Sequence, residues 1–165
     1  MTAAVQDVVT FLKRRAKDTM SSILFKCLIK VNRHGILKNN KQIRFNRKTG
    51  SRFITSSDSS KMSEAWLLTK LRYEKIKHKL DDALTCDLNA QYTFYFPESI
   101  YYTKKGARSL KLPDLDNLFG LVNDCLQKAQ IISNDTIIGG FDGSRRKPIK
   151  GPEYFLEITL SKLHD

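Results

Sequence analysis

Between Asp18 and Asp58 the chain carries no acidic residue. Nine basic ones fall in that interval: Lys26, Lys30, Arg33, Lys38, Lys41, Arg44, Arg47, Lys48 and Arg52. A stretch of one sign cannot be packed into an apolar interior, because each unpaired charge would lose its hydration. It belongs on surface elements whose other side is apolar. Residues 23–31, ILFKCLIKV, are rich in β-formers with Lys26 and Lys30 as polar interruptions, which predicts a strand. IRFNRKTGSRFIT reads as a hairpin turning at Lys48-Thr49-Gly50, with Ile43, Phe45, Phe53 and Ile54 as its apolar positions.

The bias extends to the whole chain, where 29 Lys and Arg face 17 Asp and Glu, a formal net charge of +12. Such an excess repels itself in a folded molecule. A polyanion relieves it, because neutralised phosphates release condensed counterions. An acidic membrane surface would favour one basic amphipathic helix, whereas these cations spread over several elements. No apolar run approaches the roughly 18–20 residues of a membrane-spanning helix. The opening MTAAVQDVV lacks the basic start and long apolar stretch of a secretory signal. The expectation is a cytoplasmic chain with no membrane partner. Cys27, Cys86 and Cys125 are widely spaced and odd in number, so buried free thiols are expected rather than a disulfide framework or zinc site.

A length of 165 residues suits one domain. Residues 1–22 read as an N-terminal helical extension, with Val5, Val8, Val9 and Leu12 near helical spacing over 2–17. Residues 23–165 then form the main domain. A helix is predicted over 58–80, its apolar face Met62, Ala65, Trp66, Thr69, Tyr73, Ile76 and Leu80. On that stripe Trp66 and Tyr73 are expected in the core. LNAQYTFYF, 88–96, alternates and is stopped by Pro97, as a strand would be. ESIYYTKKGARSLKLP reads as a polar loop whose Lys104, Lys105, Arg108 and Lys111 are interleaved with Tyr101 and Tyr102. Such a mixture suits nucleic-acid contact or an ordinary exposed loop.

A second helix over 114–129 has Leu118, Leu121, Val122, Cys125 and Leu126 on its apolar side. SRRKPIKGP, with Arg145, Arg146 and Lys147, reads as a third basic loop, and EYFLEITL as a closing strand. The order predicts an α+β fold, a mixed β-sheet packed with two main helices, not a regular alternating βαβ wind.

In so cationic a chain the acids of Pro113-Asp114-Leu115-Asp116-Asn117 stand out. Two carboxylates two residues apart sit where a helix begins, near the positive end of its dipole. Their mutual repulsion is relieved by a hard cation, and Mg²⁺ takes one or two protein carboxylates plus water and phosphate oxygens. A third acid, Asp135, follows the helix, and the returning chain is expected to bring it towards the pair. Asp124 lies between them on the polar side. The competing reading makes Asp114 or Asp116 a helix cap and Asp135 a turn former.

The stretch PDLDNLFGLVNDCLQKAQIISNDTII resembles the signature region of the RusA-like family of Holliday junction resolvases. The resemblance implies that Asp114, Asp116 and Asp135 are the catalytic, metal-holding carboxylates, with Asn117 bracing the site and Asp124 in support. It also implies Mg²⁺ as cofactor (Mn²⁺ as a substitute), a homodimer acting on branched DNA, and a bacterial or phage-infected cell. Two departures stand out. The loop reads Asn134-Asp135 where the family often has Asp-Asp, and Gly120 stands where some members carry a Lys. Either a basic segment (Lys111 or Arg145-Arg146-Lys147) replaces that Lys, or catalysis is impaired.

The expected function is a Mg²⁺-dependent endodeoxyribonuclease resolving four-way junctions. Phosphates would be met by Lys41, Arg44, Arg47, Lys48, Arg52, Lys104, Lys105, Arg108, Lys111, Arg145, Arg146 and Lys147. The alternative is a non-catalytic basic nucleic-acid-binding module, which needs only the cations.

Overall fold

The computed structural model describes residues 23–31, 41–45, 48, 52–56, 58–110 and 112–163; for residues 41–45 and 52–56 it describes the backbone. The 1–22 extension, Arg47 and Lys111 lie outside the described residues. The elements are β1 (Ile23–Val31), β2 (Lys41–Phe45), β3 (Arg52–Ser56), α1 (Asp58–Lys77), β4 (Leu88–Pro97) and the short α2 (Glu98–Tyr101). They continue with α3 (Leu115–Lys128), a 3₁₀ turn (Asp135–Ile137), β5 (Ile138–Gly140), β6 (Arg145–Ile149) and β7 (Tyr154–Lys162).

The α+β expectation holds. Five strands form one mixed sheet in which β7 lies between β1 and β4, antiparallel to both. The other edge of β4 pairs in parallel with β5 and then with β6. β2 and β3 form a separate antiparallel hairpin.

One face of the sheet is apolar because the strands alternate. Phe25, Cys27, Ile29 and Val31 of β1, Leu88, Ala90, Tyr92, Phe94 and Phe96 of β4, and Tyr154, Leu156, Ile158 and Leu160 of β7 are all buried. α3 covers this face with the residues expected of it: Leu118, Leu121, Val122, Cys125 and Leu126 are buried. Its Phe119 stacks on Phe141 at 4.7 Å and meets Tyr92 edge-on at 5.6 Å. The Tyr92 hydroxyl donates to Asn123 Oδ1 at 2.7 Å, which satisfies the polar end of a wholly buried ring. Burial pushes the Tyr92 phenol far above its ordinary pKa, and pushes the Cys27 and Cys125 thiols up to about 12. Neither thiol is in a disulfide, and neither is Cys86.

Two expectations are corrected. The first is the orientation of α1. It buries Ser63, Leu67 and Leu71, while Met62, Tyr73 and Ile76 are 70%, 64% and 77% exposed and Trp66 is only partly buried. At about 100° per residue, Leu67 and Leu71 lie on the side opposite Met62 and Tyr73. The helix thus has two apolar sides, and the sheet takes the leucine ridge. The second is the segment SRRKPIKGP, whose Arg145–Ile149 form strand β6 rather than a loop.

Between β5 and β6 the chain bulges away from β4 over Phe141–Ser144, with Gly143 at φ +80°. The positive φ is what the turn needs glycine for; an added Cβ would also meet Gln91 Nε2 at 2.7 Å, the mobile end of a side chain. Ser144 fills the break in the ladder: its Oγ accepts from Tyr92 N at 2.9 Å and donates to Ala90 O at 3.2 Å. Among the described residues no helix is long and apolar enough to cross a membrane. Ser144→Ala strips both β4 groups of their partner and is expected to cost about 1–3 kcal/mol. Thermal melting with a fall in Tm checks it, and an unchanged Tm would show that water replaces the hydroxyl.

Candidate active site

The carboxylate pair is presented by the start of α3. Pro113, with φ fixed and no N–H, precedes the N-cap. Asp114 occupies the N-cap position with extended backbone, φ −65° and ψ 147°, but its side chain makes no capping hydrogen bond. Asp116 lies in the first turn, and both aspartates are exposed. The capping reading therefore fails for Asp114, whose carboxylate oxygens are not turned to the helix N–H groups. Two exposed carboxylates at one helix end are a fitting donor set for Mg²⁺, which needs no more than one or two from the protein. Asn117 and Asp124 are also exposed on α3. At Gly120, one turn beyond Asp116, an added Cβ would meet nothing within 4 Å, so the helix surface at Gly120 is open.

Asp135 opens the 3₁₀ turn after α3. The cap of that turn is Asn134, whose Oδ1 accepts from Thr136 N at 2.9 Å. Asn134 thus takes the turn-forming role, leaving Asp135 exposed beside it. The position along the sheet is the decisive feature. Pro113 is tied to Arg146, which pairs with Phe94 near the upper end of β4. Asp135 lies at the lower end: Ser133 N donates to Leu84 O at 2.9 Å, and Ile138 pairs with Leu88. α3 runs between the two levels, and its 14 residues span about 20 Å at 1.5 Å each. Within one chain the structure brings Asp114 and Asp116 to one end and Asp135 to the other. Consistently, among the described residues no three His, Cys, Asp or Glu side chains group as metal ligands.

The basic residues sort by strand alternation. On β6, Arg145 and Lys147 point to the open face of the sheet, where Lys147 Nζ lies 6.0 Å over the Tyr95 ring. That Tyr95 donates its hydroxyl to Glu157 Oε2 at 3.0 Å, and burial followed by Glu157 raises its pKa to about 12. Arg146 points to the helix face and donates from Nη1 to Pro113 O at 2.8 Å. Its placement on the surface, as expected of a basic loop, is therefore corrected: it is a half-buried structural partner of the carboxylate end. Lys104, Lys105 and Arg108 are exposed in the loop between α2 and α3, closed by a Tyr102–Arg108 bridge. Lys48 is exposed, while Lys41, Arg44 and Arg52 lie on the hairpin strands.

A cationic recess that the sequence did not reveal lies between α1 and the end of α3. It is lined by Arg72, Lys75, Ile76, Lys128, Ala129 and Gln130. Arg72, Lys75 and Lys128 are far apart in sequence or lost in a helix rich in lysine, so no local signal marks them.

The chain matches the family model described as endodeoxyribonuclease RusA over residues 37–159, an interval that contains the three aspartates and β6. No curated protein matches it significantly. Lys104→Ala with Lys105→Ala should lower the salt slope of duplex binding by about two, one per phosphate contact. Fluorescence anisotropy across a salt series measures it; an unchanged slope removes this loop from the interface.

Proposed function

Because the chain belongs to the RusA endodeoxyribonuclease family, we propose that it is a Mg²⁺-dependent endonuclease that resolves four-way DNA junctions. The observation that carries the catalytic reading is the uncapped Asp114 beside Asp116 at the exposed start of α3. In hydrolysis, a water oxygen forms a bond to phosphorus while the bond to the 3′-oxygen breaks. The water's proton ends on the departing strand, leaving 5′-phosphate and 3′-hydroxyl ends. Asp114 and Asp116 would hold the cation, which when bound supplies Lewis acidity and a water of lowered pKa. The open space at Gly120 lets a phosphate backbone approach α3 closely.

The cations supply the counterpart. Lys104, Lys105 and Arg108 are exposed in the loop that leads into the carboxylate end, and together with the exposed Arg145 they would offset the repulsion between acid side chains and phosphate. Such contacts position the duplex without reading its sequence. Asp135 is the third carboxylate of this reading. Its distance from the pair in one chain means that it would act across a homodimer. A two-fold axis crossing α3 turns the upper end of one copy towards the lower end of the other. Two equivalent sites then face two symmetric strands of a junction.

Two experiments test this reading. With Mg²⁺ the protein should cut a synthetic four-way junction. Asp116→Asn should bind it normally and lose more rate than the roughly 10–100-fold typical of an outer-shell partner. Cleavage at the wild-type rate by Asp116→Asn would remove the carboxylates from the chemistry. Tight binding with no cleavage by the parent protein would identify a binding module instead. The second experiment mixes Asp116→Asn with Asp135→Asn after co-refolding. A mixed dimer with shared sites keeps one intact site, so nicking should return to about a quarter of the parent rate. A dead mixture would place all contributions within one chain.

A further inference from the structure

We propose that Arg146 is a positioning residue for the carboxylate end of α3, acting through the Pro113 carbonyl rather than by contact with DNA. This inference rests on the reading of Asp114 and Asp116 as cation ligands. Three observations carry it. First, Arg146 is rooted in the sheet: it pairs with Phe94 in the β4–β6 ladder, and its own carbonyl accepts from the Tyr101 hydroxyl at 3.2 Å. Second, its guanidinium donates to Pro113 O at 2.8 Å. That carbonyl precedes the helix, whose first internal bond runs from Leu118 N to Asp114 O, so the helix ladder does not use it. Pro113 is buried, and without Arg146 its carbonyl would be an unpaired acceptor away from water. Third, burial and then Arg108 lower the Arg146 pKa while Tyr101 and Asp114 act the other way, so the guanidinium lies within electrostatic reach of all three groups.

The consequence is geometric. The Pro113 carbonyl and the Asp114 N–H share one peptide plane. The proline ring fixes the φ rotation before that plane but not the ψ rotation that orients it, and the hydrogen bond from Arg146 holds the latter. Asp114 therefore leaves the sheet in a set direction, and α3 starts at a set height above Phe94. Arg146 also brings a permanent positive charge near Asp114 while its hydrogen bond goes to the backbone. The carboxylate keeps its oxygens for a cation. Lysine would carry the charge but lacks the planar fork, so the two residues are not equivalent here.

The test uses Arg146→Ala, Arg146→Gln and Arg146→Lys, each first checked for a cooperative thermal transition. Two quantities are measured beside cleavage at saturating junction: junction affinity in EDTA, and Mn²⁺ affinity without DNA by calorimetry. For Arg146→Ala, kcat and Mn²⁺ affinity should each fall roughly 10–100-fold, while junction affinity changes little. Arg146→Gln and Arg146→Lys, which keep a donor for the carbonyl, should recover part of the Mn²⁺ affinity. If Arg146→Ala weakens junction binding but leaves Mn²⁺ affinity and kcat intact, the residue is a phosphate contact and the proposal is overturned. If Arg146→Ala does not fold, the remaining two variants decide: a partial fall of both Mn²⁺ affinity and kcat in Arg146→Gln and Arg146→Lys with junction affinity unchanged supports the carbonyl clamp, and loss of junction affinity with both other quantities parent-like overturns it. Asp116→Asn serves as the separate control. Should it retain both cleavage and Mn²⁺ affinity, the carboxylate reading fails and this inference fails with it. Should it lose both while Arg146→Ala loses neither, only the inference falls.

Discussion

The parallel pairing of β6 with β4 is the contact on which the candidate site depends. β4, α3 and the β5–β6 edge make one crossover: up the strand, down the helix, and up again. Packing of α3 against β4 through Phe119, Tyr92 and Asn123 fixes the height and rotation of the helix. The return strand then delivers Arg146 to the loop from which the helix starts. Remove the β6 pairing and the helix start has no anchor in the sheet. The break at Phe141–Ser144 follows from the same demand. One edge of β4 must pair at Leu88 and again from Thr93 to Pro97, and Ser144 with Asn89 and Gln91 bridges the gap by side-chain bonds.

Much of this was legible in the sequence. β1 and β7 alternate in burial because each has one covered face, and β4 does so except at Thr93 and Pro97, which are buried as well. α3 shows one apolar face and buries that face. The readings that failed did so for definable reasons. α1 carries apolar residues on two sides, and periodicity alone does not say which side the sheet takes. β6 reads Arg-Arg-Lys-Pro-Ile, a composition that looks like a solvated loop. Its pairing comes from the neighbouring strand and its role from a carbonyl more than 30 residues away in the chain.

The candidate site divides in the same way. Asp114 and Asp116 announce themselves by spacing and by the proline before them. The capping bond that would have made Asp114 ordinary is absent, which only coordinates can show. Asp135 is the instructive case. The helix does carry the chain away from the pair, and the strand does return, but Asp135 stands before the return begins. A crossover puts the start of its helix and the start of its next strand at opposite ends of the sheet. Within one chain the topology therefore keeps Asp135 at the end of the sheet opposite to the helix start.

Ion pairing sets how the charges of a chain with a formal net charge of +12 are distributed over its surface. Several cations are already matched: Lys26 with Glu157 at 3.2 Å, Lys30 with Glu153, Lys77 with Glu74 at 3.3 Å and Lys128 with Glu64. These pairs are solvent-exposed and contribute little stability each. Their effect is distribution. They occupy acids on the open sheet face and on α1, so those acids do not compete for the cations beside α3. Among the described residues Lys104, Lys105 and Arg108 make no salt bridge with an acid, and Arg108 lies within electrostatic reach of Arg146 at the start of α3. Arg146, directed inward, strengthens the positive field there without closing on Asp114.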